Sequence, residues 1–366
     1  MSSIEKITTF TTELNADTTE WCPIADYSDL FVCGTYQLNE TEKTSKFNQE
    51  SVQRIGYLYL FQICEENVGF IRLLQKLSMP GILDCKWFRM KIEEHIFLAV
   101  VNAVGELRIL ELLKNGNEPY LNEVQLIKVT TESNTLLLSL DCSCAITNND
   151  VKIIVSNSAG EVTLISYKDG SFVVDDCWKL HQFEAWIVAF NYWNTNVFFS
   201  GGDDCKLHCF DIRVGRTTIS NTTHTAGVTS MQMSPKQENT LVSGSYDEKI
   251  LLWDIRNMKI PINSLDVGGG VWRLKWESKM GHEICASCMY FGSVVVNESN
   301  TEIIAEYKEH KSINYGIDWS LLSEEKIYQN LNIDKCEDFK CNLITVCSFY
   351  DNLLSLALVK IPKEST

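Results

Sequence analysis

Almost every apolar run in this chain is short, ends on a polar turn and is followed within a few residues by another, which is the pattern of β-strands joined by hairpins. Grouped by their turns, the runs fall into seven sets whose first strands are expected at 20–26, 81–88, 136–143, 186–193, 228–234, 271–277 and 312–320. Each is followed by further runs, such as 197–203, 206–212 and 216–222 in the fourth set and 240–246, 249–255 and 261–267 in the fifth. Two polar stretches interrupt the rhythm. Residues 37–53 read as a mobile loop in the first set, and 321–341 as a loop in the seventh with room for one helical turn. The seventh set has only three strands, 312–320, 342–351 and 353–361, whereas the stretch 4–12 has no hairpin partner nearby. Pairing 4–12 beside 353–361 would complete that set and remove two exposed strand edges.

The fourth and fifth sets share a grammar: SGGDDCKLHCFDIR at 200–213 and SGSYDEKILLWDIR at 243–256. Ser200 falls over Ser243, Asp204 over Asp247 and Phe210 over Trp253, and a histidine precedes each turn Asp at the same distance (204 − 181 = 23 and 247 − 224 = 23). His, then Asp, then Trp-Asp in a repeat of about 40–45 residues is the signature of a WD-repeat β-propeller blade. Its physical basis is a buried polar relay, in which the turn Asp accepts from the His, and the other ring nitrogen reaches a strand hydroxyl and then the Trp N–H. His181, Asp204, Ser243, Asp247 and Trp253 are therefore read first as structural relay members. Only the fourth and fifth sets are expected to keep the Asp, since Gly105, Gly160 and Gly292 stand in the turns of the second, third and sixth. The fold class is thus all-β, a single seven-bladed propeller over residues 1–366 with its ring closed by the N-terminal strand.

Composition narrows the partners. A formal net charge of −16 repels phosphate backbones and anionic membranes, so neither nucleic acid nor membrane is expected as a partner, and a cationic ligand is favoured. There are 14 cysteines, but Cys142, Cys144, Cys205, Cys285, Cys288 and Cys347 lie in or beside strand-like runs, where a free thiol acts as a small hydrophobe. A reducing, cytoplasmic setting fits that usage.

No G-x-S-x-G elbow, P-loop or H-E-x-x-H is present. Cys285-Ala286-Ser287-Cys288 is formally C-x-x-C, but a spacing of three on a strand sends the thiols to opposite faces, and no metal or cofactor is expected. The informative residues stand beside the relay. In a propeller the relay turn faces the rim of the central channel, which brings Asp203, Tyr246, Phe291 and Tyr350 to that rim, with Trp186, Trp272, Arg273 and Tyr315 at the starts of inner strands. Aromatic rings beside a carboxylate make a cation receptor; the competing reading of the same rings is packing between blades. Arg273, after the flexible Gly268–Gly270, suits an oxyanion or carboxylate.

The stretches SGGDD (200–204), SGSYDE (243–248), ILLWDIRNM (250–258), GGGVWRLKW (268–276), CSFYD (347–351), WCP (21–23) and CGTYQL (33–38) together resemble a particular WD-repeat family, the diphthine methyl ester esterases of diphthamide biosynthesis, also called diphthine methyltransferases. The resemblance implies an ester hydrolase that takes the methyl group from an over-methylated histidine derivative on translation elongation factor 2, giving diphthine and methanol. That substrate carries a trimethylammonium group beside the ester. On this reading Asp203 is the base for water, Arg273 the donor to the oxyanion, His224 a reserve base, and Tyr246, Trp272, Tyr350, Phe291 and Trp186 bind the substrate. A second reading is a non-enzymatic scaffold: Trp253-Asp254-Ile255-Arg256 is similar to the W-D-x-R box by which substrate receptors dock on a cullin ubiquitin-ligase adaptor.

Overall fold

The computed structural model of the chain describes residues 1–39, 53–65, 69–132, 134–143, 151–279, 281–299 and 301–363. Its strands form seven antiparallel sheets, the blades of a propeller. The innermost strands are Ala16–Trp21, Ile82–Trp87, Leu137–Cys142, Ala185–Phe190, Val228–Met233, Arg273–Trp276 and Asn314–Trp319. Each touches the next, and the last touches the first, so they ring a central channel.

A blade is sandwiched between two others, so its middle strands are buried on both faces and read as continuous apolar or small-residue runs, as in Thr240–Ser245. Its outermost strand meets solvent and alternates, as in Arg216–Asn221. The cores accordingly lie between blades: Phe190, Phe198 and Phe210 of the fourth blade pack in one cluster with Leu164 of the third and Trp253 of the fifth. The C-x-x-C thiols part as their spacing requires, Cys285 into the cluster with Trp319 and Cys288 into that with Trp276. Every described cysteine is free, and no described helix is long and apolar enough to cross a membrane.

Ring closure follows the expectation. Ser3–Thr11 runs antiparallel to Leu353–Pro362, with Ile4 opposite Val359 and Phe10 opposite Leu354. Phe10 then packs edge-on against Tyr59 and Phe61 of the first blade, tying the seam on both sides. Deleting residues 1–13 should leave Leu353–Pro362 as a long apolar edge and shift the protein into aggregates on size-exclusion chromatography; a deletion variant that elutes as the parent does would contradict this.

Three details differ from the sequence reading. The inner strand of the first blade is Ala16–Trp21, upstream of the expected 20–26; polar Asp17, Thr18, Thr19 and Glu20 hid it, because a strand facing the channel can be built of charged and hydroxyl side chains. The insertion in the seventh blade holds a two-turn helix, Glu324–Leu331, capped by the Ser323 hydroxyl and buried through Ile327, Tyr328 and Leu331. Gln37–Leu38 pairs with Arg54 and Ile55, while residues 40–52 of the expected mobile loop lie outside the described residues.

Candidate active site at the channel mouth

The channel is lined by charge. Near one end Asp84, fully buried, accepts from Lys86 Nζ at 2.8 Å, Ser139 Oγ at 3.1 Å and Arg273 Nη1 at 3.4 Å. Burial would push its carboxyl up, but the Arg273 and Lys86 charges outweigh that and hold it at about 2. Deeper, Glu20 meets both Lys86, at 2.7 Å, and Lys275, which also lies 3.7 Å from Asp318. Beyond this layer a cavity of about 260 Å³ opens at the far end, walled by Trp21, Trp87, Trp276 and Trp319. Of its carboxylates, Glu20 and Asp318 face lysines and Asp141 accepts from the backbone N–H of Cys142 and Phe190, and none of its walls belongs to the mouth.

The mouth is built by a recurring irregularity. In six blades the ladder of the inner strand skips at its start, leaving Asp17, Leu83, Leu138, Trp186 and Thr229 unpaired in the first five and Tyr315 with Gly316 in the seventh. In the sixth blade Trp272 holds the same place, just before the ladder begins at Arg273. A β-bulge re-aims the extra side chain, and here the aromatic ones meet over the channel. Trp186 meets Trp272 edge-on at 5.6 Å between ring centroids, although a whole blade separates them in the ring; Thr229 of that blade is small. Tyr246, from the relay turn of the intervening blade, lies 6.2 Å from Trp186 and 6.0 Å from Trp272. Trp272 stacks on Tyr315 at 4.6 Å, and the arc continues through Phe349 to Tyr36 and Tyr350.

Two carboxyl groups attend this arc. Asp203 is exposed at the rim; its Oδ1 accepts from Trp186 Nε1 at 3.0 Å, and burial followed by the Asp203 charge pushes the Tyr246 hydroxyl up. Asp17 is buried, its backbone lies against Gly316 of the seventh blade, and its charge is felt by Tyr36 of its own blade and by Tyr315 beside that glycine. Asp203, Trp186, Tyr246, Trp272 and Tyr350 are thus brought together as the sequence suggested. Arg273 is not at the rim; it is buried in the channel against Asp84. Phe291 packs on Gly268 and Gly269 under the Lys308 ammonium, 3.9 Å from its ring centre, and makes no ring contact with the arc among the described residues.

His224 belongs to the relay. Its Nδ1 lies 2.9 Å from Asp247 Oδ2 and its Nε2 2.8 Å from Ser243 Oγ, which also receives Trp253 Nε1 at 2.8 Å, so neither ring nitrogen is left for a water. His181 repeats the pattern with Asp204 and Ser200. Asp247→Ala should orphan a buried His224 nitrogen and cost about 1–3 kcal/mol in chemical denaturation; a variant as stable as the parent would remove the relay from the account of this blade. A third, altered relay escaped the sequence: in the seventh blade Asp351 accepts from Lys311 N as Asp247 does from Thr225 N, and His310 bonds Asn314 and Ser355. The helical insertion stretches the His-to-Asp spacing there (351 − 310 = 41), which is why the repeat did not show.

The family profile described as WD domain, G-beta repeat matches residues 215–254. A mouse diphthine methyltransferase is 37% identical over 85% of this chain and 68% of its own length, and a human one 35% identical over 92% and 78%. A Dictyostelium discoideum diphthine methyltransferase homolog is 33% identical over 94% of this chain and 96% of its own. The chain belongs to the diphthine methyltransferase family. At the level of fold it is also similar to a chain in the crystal structure of a mitotic checkpoint complex, with a TM-score of 0.65 at 14% identity over 98% of this chain and 92% of that one. In this diphthine methyltransferase family member the least legible part of the mouth was Asp17. Its only sequence signal is a carboxylate at the start of a channel strand, at the place where the later blades put Trp186, Trp272 and Tyr315.

Proposed function

We propose that this protein hydrolyses the methyl ester of methylated diphthine on translation elongation factor 2, releasing diphthine and methanol. Membership of the diphthine methyltransferase family supports a role as an enzyme of diphthamide biosynthesis. The observation that carries the finer reading is the aromatic arc with a carboxylate bonded to it, Trp186 Nε1 to Asp203 at 3.0 Å with Tyr246 and Trp272 alongside. Ring faces and a carboxylate favour a poorly hydrated quaternary ammonium, and the ester lies next to that group in the substrate.

In the proposed reaction Asp203 takes a proton from water as the water oxygen adds to the ester carbon. The carbonyl electron pair moves onto oxygen, then returns to expel methoxide, which leaves as methanol with the proton from Asp203. Trp272 Nε1, just ahead of the strand that begins at Arg273, is a buried donor with no partner among the described residues and is suited to the developing oxyanion. Purified protein added to elongation factor 2 bearing the methyl ester should release one methanol per modified histidine; no methanol, with the protein folded, would refute the proposal.

A non-catalytic role has one supporting feature. Arg256 lies 70% exposed and paired with Asp254 in the W-D-x-R box, and Arg213 is held likewise by Asp211. Retention of a cullin ubiquitin-ligase adaptor by the parent but not by Arg256→Ala, in the absence of methanol release, would favour that reading.

A further inference from the structure

Two buried polar atoms at the mouth have no hydrogen-bond partner among the described residues, Asp17 Oδ1 and Trp272 Nε1. Orphaned groups are costly, and a native structure that keeps one acceptor and one donor under the same arc of rings has a use for them. The acceptor is the more expensive. Asp17 is 2% exposed, its bulge aims it into the channel, and Gly316 lets the seventh blade close over its backbone, since a Cβ there would fall 2.8 Å from the Asp17 carbonyl oxygen. Tyr36 and Tyr315 both sense its charge, and Trp272 stacks on Tyr315.

We propose that Asp17 is the buried counter-charge for a quaternary ammonium group, which enters between the rings of the mouth and comes to rest against its carboxylate. The assignment rests on the reading of the mouth as a cation receptor given above and adds to it the residue that supplies the charge, leaving Asp203 at the rim to act on water. The charges around Asp17 fit the role. Arg273 of the sixth blade faces it but is already paired with Asp84 of the second, so it does not neutralise Asp17. Among the described residues the other titratable groups that sense it are Asp84, Tyr36, Tyr315 and the buried thiol of Cys347, which bring no positive charge. Burial accordingly drives the Asp17 carboxyl well above its ordinary range, against the lowering pull of Arg273, and Asp84 adds to the rise. In the empty site Asp17 holds a proton as pH climbs out of the acid range; a fixed cation replaces that proton. Cation affinity should therefore increase with pH until Asp17 ionises unaided, and then level off.

The test uses choline and its neutral carbon isostere dimethylbutanol, equal in shape and different in charge, titrated into the parent, Asp17→Asn and Asp203→Asn by calorimetry across acid to neutral pH. The parent should prefer choline, with the pH profile just described. Asp17→Asn should lose about tenfold or more in choline affinity, with the pH profile flat and the isostere unaffected. It should also melt no lower than the parent, because an amide costs less to bury than an unpaired carboxyl. Asp203→Asn, which removes only the exposed rim carboxylate, should lower choline affinity less than Asp17→Asn does and leave the rise of affinity with pH in place. If Asp17→Asn retains the preference for choline, or if Asp203→Asn is the variant that loses it, the assignment of Asp17 is wrong while the cation receptor stands. If the parent itself shows no preference for choline, both the assignment and the receptor reading fall.

Discussion

Asp84→Ala should be the most damaging single substitution in the channel, lowering the free energy of unfolding by about 3–5 kcal/mol, the range for removing one partner of a buried ion pair. Asp84 is fully buried and joins three blades: its own through Lys86, the third through Ser139 Oγ and Leu140 N, and the sixth through Arg273. Without it Arg273, whose side chain is 8% exposed, stays buried with no direct ion pair among the described residues, and only the charges of Asp17 and Glu20 act on it. Lys86 retains Glu20, so the loss centres on Arg273. Asp84→Asn keeps the hydrogen bonds to the third blade and removes the charge; it should be nearly as damaging if electrostatics dominates. The pH dependence has a definite sign. The folded Asp84 carboxyl sits at about 2, below its unfolded value, so its contribution is present above the ordinary carboxylate range and vanishes as pH falls through about 2. The stability gap between parent and Asp84→Ala should therefore shrink on acidification. A gap below 1 kcal/mol at neutral pH, by chemical denaturation, would mean that the channel charges are better solvated than the structure implies.

The second large effect concerns turnover. Asp203→Asn should reduce methanol release by about 10²–10⁴-fold, the usual contribution of a positioned general base, while leaving substrate binding close to that of the parent. The amide keeps an oxygen for Trp186 Nε1, so the arc should hold its geometry, and only the proton acceptor is lost. Tryptophan fluorescence of Trp186 and Trp272 provides the control, since a disturbed arc would alter it. A variant that retains parental turnover would move the base elsewhere, and a variant that loses binding in step with turnover would make Asp203 part of the receptor instead.

Much of this architecture could be read directly from the chain, and the exceptions have physical causes. The blades of the fourth and fifth sets announce themselves because His181, Asp204, His224 and Asp247 keep a fixed spacing that only a repeated buried relay demands. The closing strand was legible because 4–12 had no partner and the seventh set lacked a strand. What the sequence obscured were features decided by three-dimensional neighbours. The polar strand Ala16–Trp21 looks like a loop until the channel gives its carboxylates Lys86, Arg273 and Lys275 to face. Arg273 follows Trp272 in sequence, but adjacent strand residues point to opposite sides, so one reaches the mouth and the other the ionic layer below. Phe291 stands one residue before a turn as Tyr246 does, yet Lys308 and the glycine pair Gly268–Gly269 engage its ring within its own blade. The rim carboxylate Asp203 and most of the aromatic arc were therefore legible as neighbours, and the buried acid Asp17 was not.

The most direct test of the central claim is to run the reaction in ¹⁸O-labelled water with the parent protein and elongation factor 2 bearing the methyl ester, and to weigh both products. Hydrolysis by attack of water on the ester carbon predicts one labelled oxygen in the diphthine carboxylate and unlabelled methanol. Absence of methanol, or label found in the methanol with none in the carboxylate, would contradict it.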